Sequence, residues 1–134
     1  RRGRYELVTN NSAAIKSLAR SLDVAVILVA QLSRGVESRT PPMPQLSDLK
    51  ESGGIEQDAD AVLLLYRDDY YRQSKPGYIG PDNGLLINVC KWRDGATGMV
   101  LTRFDGPKMR VTNWGAEARP AWVTGEQVQT GLPI

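Results

Sequence analysis

The sequence predicts an α/β domain in three layers, with a parallel sheet buried between helices and an antiparallel hairpin extending it. Two uninterrupted apolar runs, Val24–Ala30 and Ala61–Tyr66, carry the first part of that prediction. They have strand length and no alternation, the pattern of strands covered on both faces. Two strand-like segments around Asp94-Gly95-Ala96-Thr97-Gly98 carry the second part, because Asp-Gly and Gly at a short connection mark a hairpin.

The elements follow in order. Ile15, Leu18, Ala19 and Leu22 recur at helical spacing with Lys16, Arg20 and Ser21 between them, which predicts an amphipathic helix ending near Asp23. The first apolar run follows and stops at Gln31. Residues 32 to 54 read as a long loop, since Pro41, Pro42, Pro44 and the pair Gly53-Gly54 oppose regular structure. A short helical piece is expected over Ile55–Asp60, then the second apolar run. Residues 67 to 83 read as a flexible polar loop with Pro76, Gly77, Gly80 and Pro81. Leu85–Trp92 and Met99–Phe104 are the hairpin strands, Asp105-Gly106-Pro107 a second turn, and Met109–Val111 a third strand. Residues 1 to 114 are expected to form one domain, and residues 115 to 134, which have no clear period, a tail or docking arm.

Composition excludes several chemistries. The chain has 134 residues, 41% hydrophobic and 24% charged, the proportions of an ordinary globular domain. With no histidine, a Ser-His-Asp triad is excluded, and with one cysteine a structural zinc site has too few ligands. Cys90 alone builds no disulfide framework and fits a reducing compartment, so a cytoplasmic location is expected. No run approaches the roughly 20 apolar residues of a membrane helix, and no signal-peptide pattern is present. The net charge of +2 gives no global basic field, so any nucleic-acid contact has to come from a local patch or from patches pooled in a ring. Arg1-Arg2-Gly3-Arg4 leads straight into a helical pattern without an initiating methionine, as expected of a fragment.

Three positions carry candidate chemistry. Gln31 ends a buried strand, where ligands bind in open α/β sheets; taken alone it is equally the polar residue that closes an apolar strand. Lys50, Glu51, Ser52, Gly53 and Gly54 combine a cation with glycines that let backbone N–H groups approach a phosphate; taken alone they are a solvated loop. Lys91 and Arg93 alternate with Trp92, so in a strand they project to one side and Trp92 to the other. Two cations beside a tight turn can meet a phosphate, or be solvated at a strand end. Tyr66, Tyr70, Tyr71 and Trp92 read as packing residues rather than base-stacking platforms.

Val29-Ala30-Gln31-Leu32-Ser33-Arg34, the long segment Ser47-Asp48-Leu49-Lys50-Glu51-Ser52-Gly53-Gly54-Ile55-Glu56-Gln57-Asp58-Ala59-Asp60, and Lys91-Trp92-Arg93-Asp94-Gly95-Ala96-Thr97-Gly98 followed by Arg103-Phe104-Asp105-Gly106 together resemble the DnaB family of hexameric DNA helicases. Order and separation match as well, over roughly Ser12–Asn113. The chain departs from the family pattern at Lys50, where arginine is usual, and at Gly54, Trp92, Asp94 and Ala96, where serine, glutamine, asparagine and proline are common. Lysine at position 50 offers a point charge instead of a bidentate fork.

The resemblance implies the C-terminal half of a RecA-like P-loop NTPase core in an ATP- and magnesium-dependent helicase that translocates on single-stranded DNA. It implies that Gln31 senses the γ-phosphate, that Lys50, Glu51 and Gly53 lie on a DNA-binding loop, and that Lys91 and Arg93 reach the next subunit's ATP site as a finger pair. No metal ligand is expected here. The implied partners are single-stranded DNA and the other subunits of a homohexamer, with a helicase loader and primase beyond them. The Gly-x-x-x-x-Gly-Lys-Ser/Thr loop does not occur in these 134 residues, so the isolated segment is expected not to hydrolyse ATP. A split or degenerate remnant acting as an interaction module is the alternative. A RecA-like recombinase or clock-type ATPase shares the sheet, but the segment Asp48–Asp60 argues against it.

Overall fold

A computed structural model describes residues 2–78, 80–123 and 128–129, with side chains from residue 10 onward except those of 50–53. The chain divides into two compact units, Arg1–Val62 and Leu63–Ile134.

The first unit begins with helix α1, Arg2–Leu22. Asp23 terminates it in the left-handed region at φ 52°. Two 3-10 helices, Arg34–Ser38 and Leu46–Ser52, precede helix α2, Gly53–Asp58. Polar pins hold α1 to the α2 end of the unit: the buried Ser12 hydroxyl donates to Asp58 Oδ2 at 2.5 Å, and Lys16 pairs with Asp60. Leu18 and Leu22, expected on the apolar stripe, are instead exposed.

Residues 24–30 differ from their expected strand. They form no regular element, and every one is exposed, Ile27 to 92% and Val29 to 91%. A strand is defined by the neighbour that takes its N–H and C=O groups. No strand of the described residues lies along this run. Its composition specifies apolar surface but not the partner to cover it.

A five-stranded sheet, in the second unit except for the first two residues of its first strand, has the order β1-β2-β3-β4, with β5 also on β3. The strands are β1 Ala61–Tyr66, β2 Gly84–Trp92, β3 Gly98–Asp105, β4 Arg110–Asn113 and β5 Val128–Gln129. β2 and β3 run antiparallel from Gly84↔Arg103 to Val89↔Gly98, and β3 and β4 from Thr102↔Asn113 to Asp105↔Arg110. The hairpins therefore fall where the turn residues place them. β5, from the segment read as a tail or arm, pairs parallel with β3 at Met99 and Val100.

Leu85, Ile87 and Val100 form a core cluster on one face, with Phe104 packed against it. Leu86 and Leu101 are buried on the other face, so the centre of the sheet is covered on both sides. β1 is not: Val62, Leu64 and Tyr66 are buried while Leu63 and Leu65 are exposed. The expected two-sided burial holds for one face of β1 only.

The loop of residues 67 to 83 is more ordered than its composition suggests. Helix α3, Asp68–Arg72, opens it, and both Asp68 and Asp69 are buried. Asp69 accepts the backbone N–H groups of Asp82 and Asn83 at 3.1 and 2.9 Å. That contact holds Asn83 in a left-handed conformation at φ 57° just before β2. Among the described residues no helix is long and apolar enough to cross a membrane.

Candidate functional site

In the first unit, Gln31 lies exposed at the end of the unpaired apolar run. Two residues later the Ser33 N–H donates to the Asp48 carbonyl at 3.3 Å, and the Ser33 hydroxyl caps the first 3-10 helix by accepting from the Gly35 N–H at 3.4 Å. Asp48 is buried. Its carboxylate receives Arg39 through Nη1 at 2.7 Å and through Nη2, and also the Gln45 N–H at 2.7 Å. Arg39 donates further to the Met43 carbonyl at 3.2 Å. Asp48 holds the Arg39 guanidinium above the usual arginine range, by their hydrogen bond first and by charge attraction as well.

Val36 and Leu49 of the same segment are buried. The segment that composition marks as an irregular loop is thus scaffolded from within. Lys50, Glu51 and Gly53 lie at the end of the second 3-10 helix and the start of α2; their side chains are outside the described residues.

In the second unit, Lys91 stands near the end of β2, and Arg93 begins the turn. Both lie past the final β2–β3 pair, Val89↔Gly98, with Lys91 partly buried and Arg93 exposed. Trp92 is half exposed and folds over Gly95, where an added Cβ would come within 2.9 Å of the indole. A side chain at position 95 would have to push the half-exposed indole aside. Cys90 is half buried, and burial pushes its thiol up.

The same unit contains a cleft that the sequence reading did not identify. Leu65, Arg67, Tyr70, Tyr71, Leu85, Phe104 and Val111 line a cavity of about 360 Å³, within the range of small-molecule sites. The Arg67 guanidinium lies 4.4 Å from the Phe104 ring centroid, a cation–π distance. Arg67 Nε is buried without a hydrogen-bond partner among the described residues. Tyr70 is 64% exposed and meets Tyr71 edge-on at 5.3 Å.

Behind the cleft Tyr71 stacks on Tyr66 at 5.8 Å, and Trp122 meets Tyr66 edge-on at 5.5 Å. The Tyr66 hydroxyl donates to Asp68 Oδ1 at 2.6 Å. Burial first, and then that hydrogen bond, raises the Tyr66 phenol far above its ordinary range. Tyr66 is therefore the packing residue that the sequence suggested, whereas Tyr70 and Tyr71 are cleft walls. The sequence signal was the cluster Tyr66-Arg67-Asp68-Asp69-Tyr70-Tyr71; the partner Phe104 was not legible from it.

The second unit thus joins an α/β sheet to a hairpin tip bearing Lys91 and Arg93 and to an aromatic cleft that contains Arg67. The chain belongs to the DnaB-like helicase C-terminal domain family, whose model matches residues 1–113. It is similar to the replicative DNA helicase DnaC of Bacillus subtilis, 46% identical over 75% of this chain and 21% of that protein. It is also similar to the replicative DNA helicase DnaB of Helicobacter pylori, 37% identical over 80% of this chain and 28% of that protein.

Among solved structures, one described as an ATPase domain superposes with a TM-score of 0.75 at 41% identity, covering 84% of this chain and 38% of that one. A DnaB-like replicative helicase solved with its interactions with primase gives a TM-score of 0.69 at 44% identity, over 77% of this chain and 24% of that one. The fold is that of the RecA-like ATPase domain of DnaB-like helicases, and the chain spans about a fifth of the length of the Bacillus subtilis relative.

Proposed function

We propose that this chain is the C-terminal part of the motor domain of a hexameric replicative DNA helicase, which couples ATP hydrolysis to translocation on single-stranded DNA. The family match over residues 1–113, to proteins named replicative DNA helicases, carries this reading.

The site residues Gln31, Lys50, Glu51, Gly53, Lys91 and Arg93 take the roles that the family resemblance implies. Lys91 and Arg93, at an exposed hairpin tip, extend to the ATP of the neighbouring subunit, where Arg93 offsets charge gathering on the transferred phosphoryl oxygens. Gln31 hydrogen-bonds the γ-phosphate or the attacking water in its own subunit. Lys50 neutralises a phosphate of the DNA strand, Gly53 admits the strand's backbone closely, and Glu51 orients Lys50 or a neighbouring subunit. The cleft of Arg67, Tyr70, Tyr71 and Phe104 suits the flat base of the nucleotide: a π-face can lie against its aromatic walls, and Arg67 Nε, without a hydrogen-bond partner among the described residues, offers a donor at its edge.

ATP brings the phosphoryl group that is transferred, and magnesium spreads the charge of its phosphates. Among the described residues no three Cys, Asp or Glu side chains are grouped to hold a metal. The 134 residues contain no phosphate loop, and the isolated segment is accordingly inactive as an ATPase. Primase, which accompanies one of the similar helicases, and a helicase loader are the proposed protein partners.

The test is single-stranded DNA binding by the complete subunit across a salt series, with Lys50→Ala beside the parent. The variant should bind more weakly on every sequence and lose roughly one half to one unit of the log-affinity against log-salt slope per contact. A parent protein without DNA-stimulated ATP hydrolysis would overturn the helicase reading and favour an interaction module.

A further inference from the structure

We propose that Asp48 is a positioning residue that joins the Gln31 end of the apolar run to the Lys50 segment, so that a change at the nucleotide is transmitted to the DNA grip. The inference rests on the helicase reading above, but assigns a role to a residue which that reading leaves without one.

Two separate bonds make the joint. The Asp48 backbone carbonyl accepts the Ser33 N–H at 3.3 Å, two residues beyond Gln31. Its carboxylate clasps Arg39 in a bidentate pair and takes the Gln45 N–H. Lys50 follows Asp48 by two residues within the same 3-10 helix, Leu46–Ser52.

The path between sensor and grip is therefore short and stiff. Ser33 also caps the 3-10 helix Arg34–Ser38, and the Arg39 N–H closes that helix on the Val36 carbonyl at 3.1 Å. Arg39 then returns to Asp48. The arm between the two 3-10 helices is closed into a ring by one carboxylate, with Asp48 only 7% exposed. A bidentate charged pair constrains direction as well as distance. When Gln31 moves, the Ser33 amide moves with it, and the carbonyl bonded to that amide belongs to the segment that carries Lys50. A loop tethered only at its two ends would absorb such a shift, whereas one clasped at Asp48 passes it on. Energetic coupling of this kind is measured as the factor by which one ligand changes the affinity of the other.

The experiment measures single-stranded DNA affinity of the complete helicase with and without a non-hydrolysable ATP analogue, and analogue affinity with and without DNA. Asp48→Asn keeps the side-chain volume but removes the charge and one of the two acceptors facing Arg39. The nucleotide-dependent change in DNA affinity, on the order of tenfold in a coupled motor, should fall toward one. DNA affinity without nucleotide and nucleotide affinity without DNA should each stay within about twofold of the parent. Arg39→Lys, which keeps the charge but loses the fork, should give a smaller loss in the same direction.

The double variant Arg39→Ala with Asp48→Asn should be no worse than the stronger single change, since both remove one clasp. If Asp48→Asn does not fold, Arg39→Lys decides alone, and its coupling has to fall. Undiminished coupling in a folded variant overturns the proposal. So does a parallel loss of both separate affinities, which would mark Asp48 as a purely structural residue. Lys50→Ala in the same assay separates the two levels. No effect of Lys50→Ala sinks the DNA-contact reading itself, whereas an effect of Lys50→Ala with intact coupling in Asp48→Asn sinks only the joint.

Discussion

The guanidinium of Arg67 stacks on the ring of Phe104, with 4.4 Å between the guanidinium carbon and the ring centroid. Arg67 follows β1, while Phe104 lies near the end of β3. The pair closes one side of the cleft whose other walls are Tyr70, Tyr71, Leu65, Leu85 and Val111.

If a nucleobase occupies that cleft, Arg67→Ala should weaken ATP binding by the complete helicase about tenfold. That is the scale of one lost base-stacking contact of ~1–3 kcal/mol. The discriminating measurement compares ATP with inorganic tripolyphosphate, which has no base. The variant should lose its preference for ATP while binding tripolyphosphate as the parent does. Equal losses for both ligands would show that Arg67 does not contact the base.

Arg93→Ala should abolish ATP hydrolysis while leaving nucleotide binding and ring assembly intact, with turnover falling by ~10³ or more. Doping the variant into parent rings should reduce activity in step with the fraction of interfaces lacking the arginine. Mixing it with a variant of the phosphate-loop lysine should restore some activity in mixed rings. Normal turnover by the pure Arg93→Ala ring would leave Arg93 as a solvated charge at the hairpin tip.

Gly84 faces a tightly filled space. A Cβ there would meet Trp122 Cζ2 at 2.7 Å and Asp82 Oδ1 at 3.1 Å. Trp122 has little room to yield, because its indole N–H donates to Asp82 Oδ2 at 2.5 Å and its ring abuts Tyr66. Gly84→Ala should therefore displace Trp122 and destabilise the fold by about 1–3 kcal/mol, the usual cost of overpacking. Urea unfolding followed by tryptophan fluorescence reads both effects. A parent-like midpoint with unchanged emission would mean that the ring is not seated there in solution.

Cys90 supplies a pH test. Burial raises its thiol, so the folded state favours the neutral form. Stability from that burial is fully present below the ordinary thiol pKa of about 8.5 and declines as pH rises through it. Iodoacetamide alkylation should show its rate inflection at higher pH in the folded chain than in urea. Coincident inflections would remove the burial effect.

Much of the second unit was legible in the sequence. Asp94-Gly95 and Asp105-Gly106-Pro107 placed both turns to within a residue or two of where β2, β3 and β4 end and begin, because turn geometry is set by local backbone preference. The place of Lys91 at the end of β2 and of Arg93 in the turn follows from the same local rule. Family-specific motifs supplied the family, and the comparisons agree with it.

Local sequence could not decide which apolar run would find partners. Val24–Ala30 and Ala61–Tyr66 are similarly apolar, yet only the second enters the sheet, since pairing depends on chain segments remote from the run itself. Nor could it reveal the contacts made across the fold. Arg39 clasps Asp48, Asp69 ties down Asp82 and Asn83, and Trp122 seats on Tyr66. Each joins residues of ordinary composition at distances along the chain that no period marks. The sequence by itself determined the family and the turns. Only the tertiary structure decided that Arg67 and Phe104 share a cleft and that one carboxylate holds the arm before Lys50, because hydrogen bonds and ring contacts form between side chains that folding, not spacing, brings within reach.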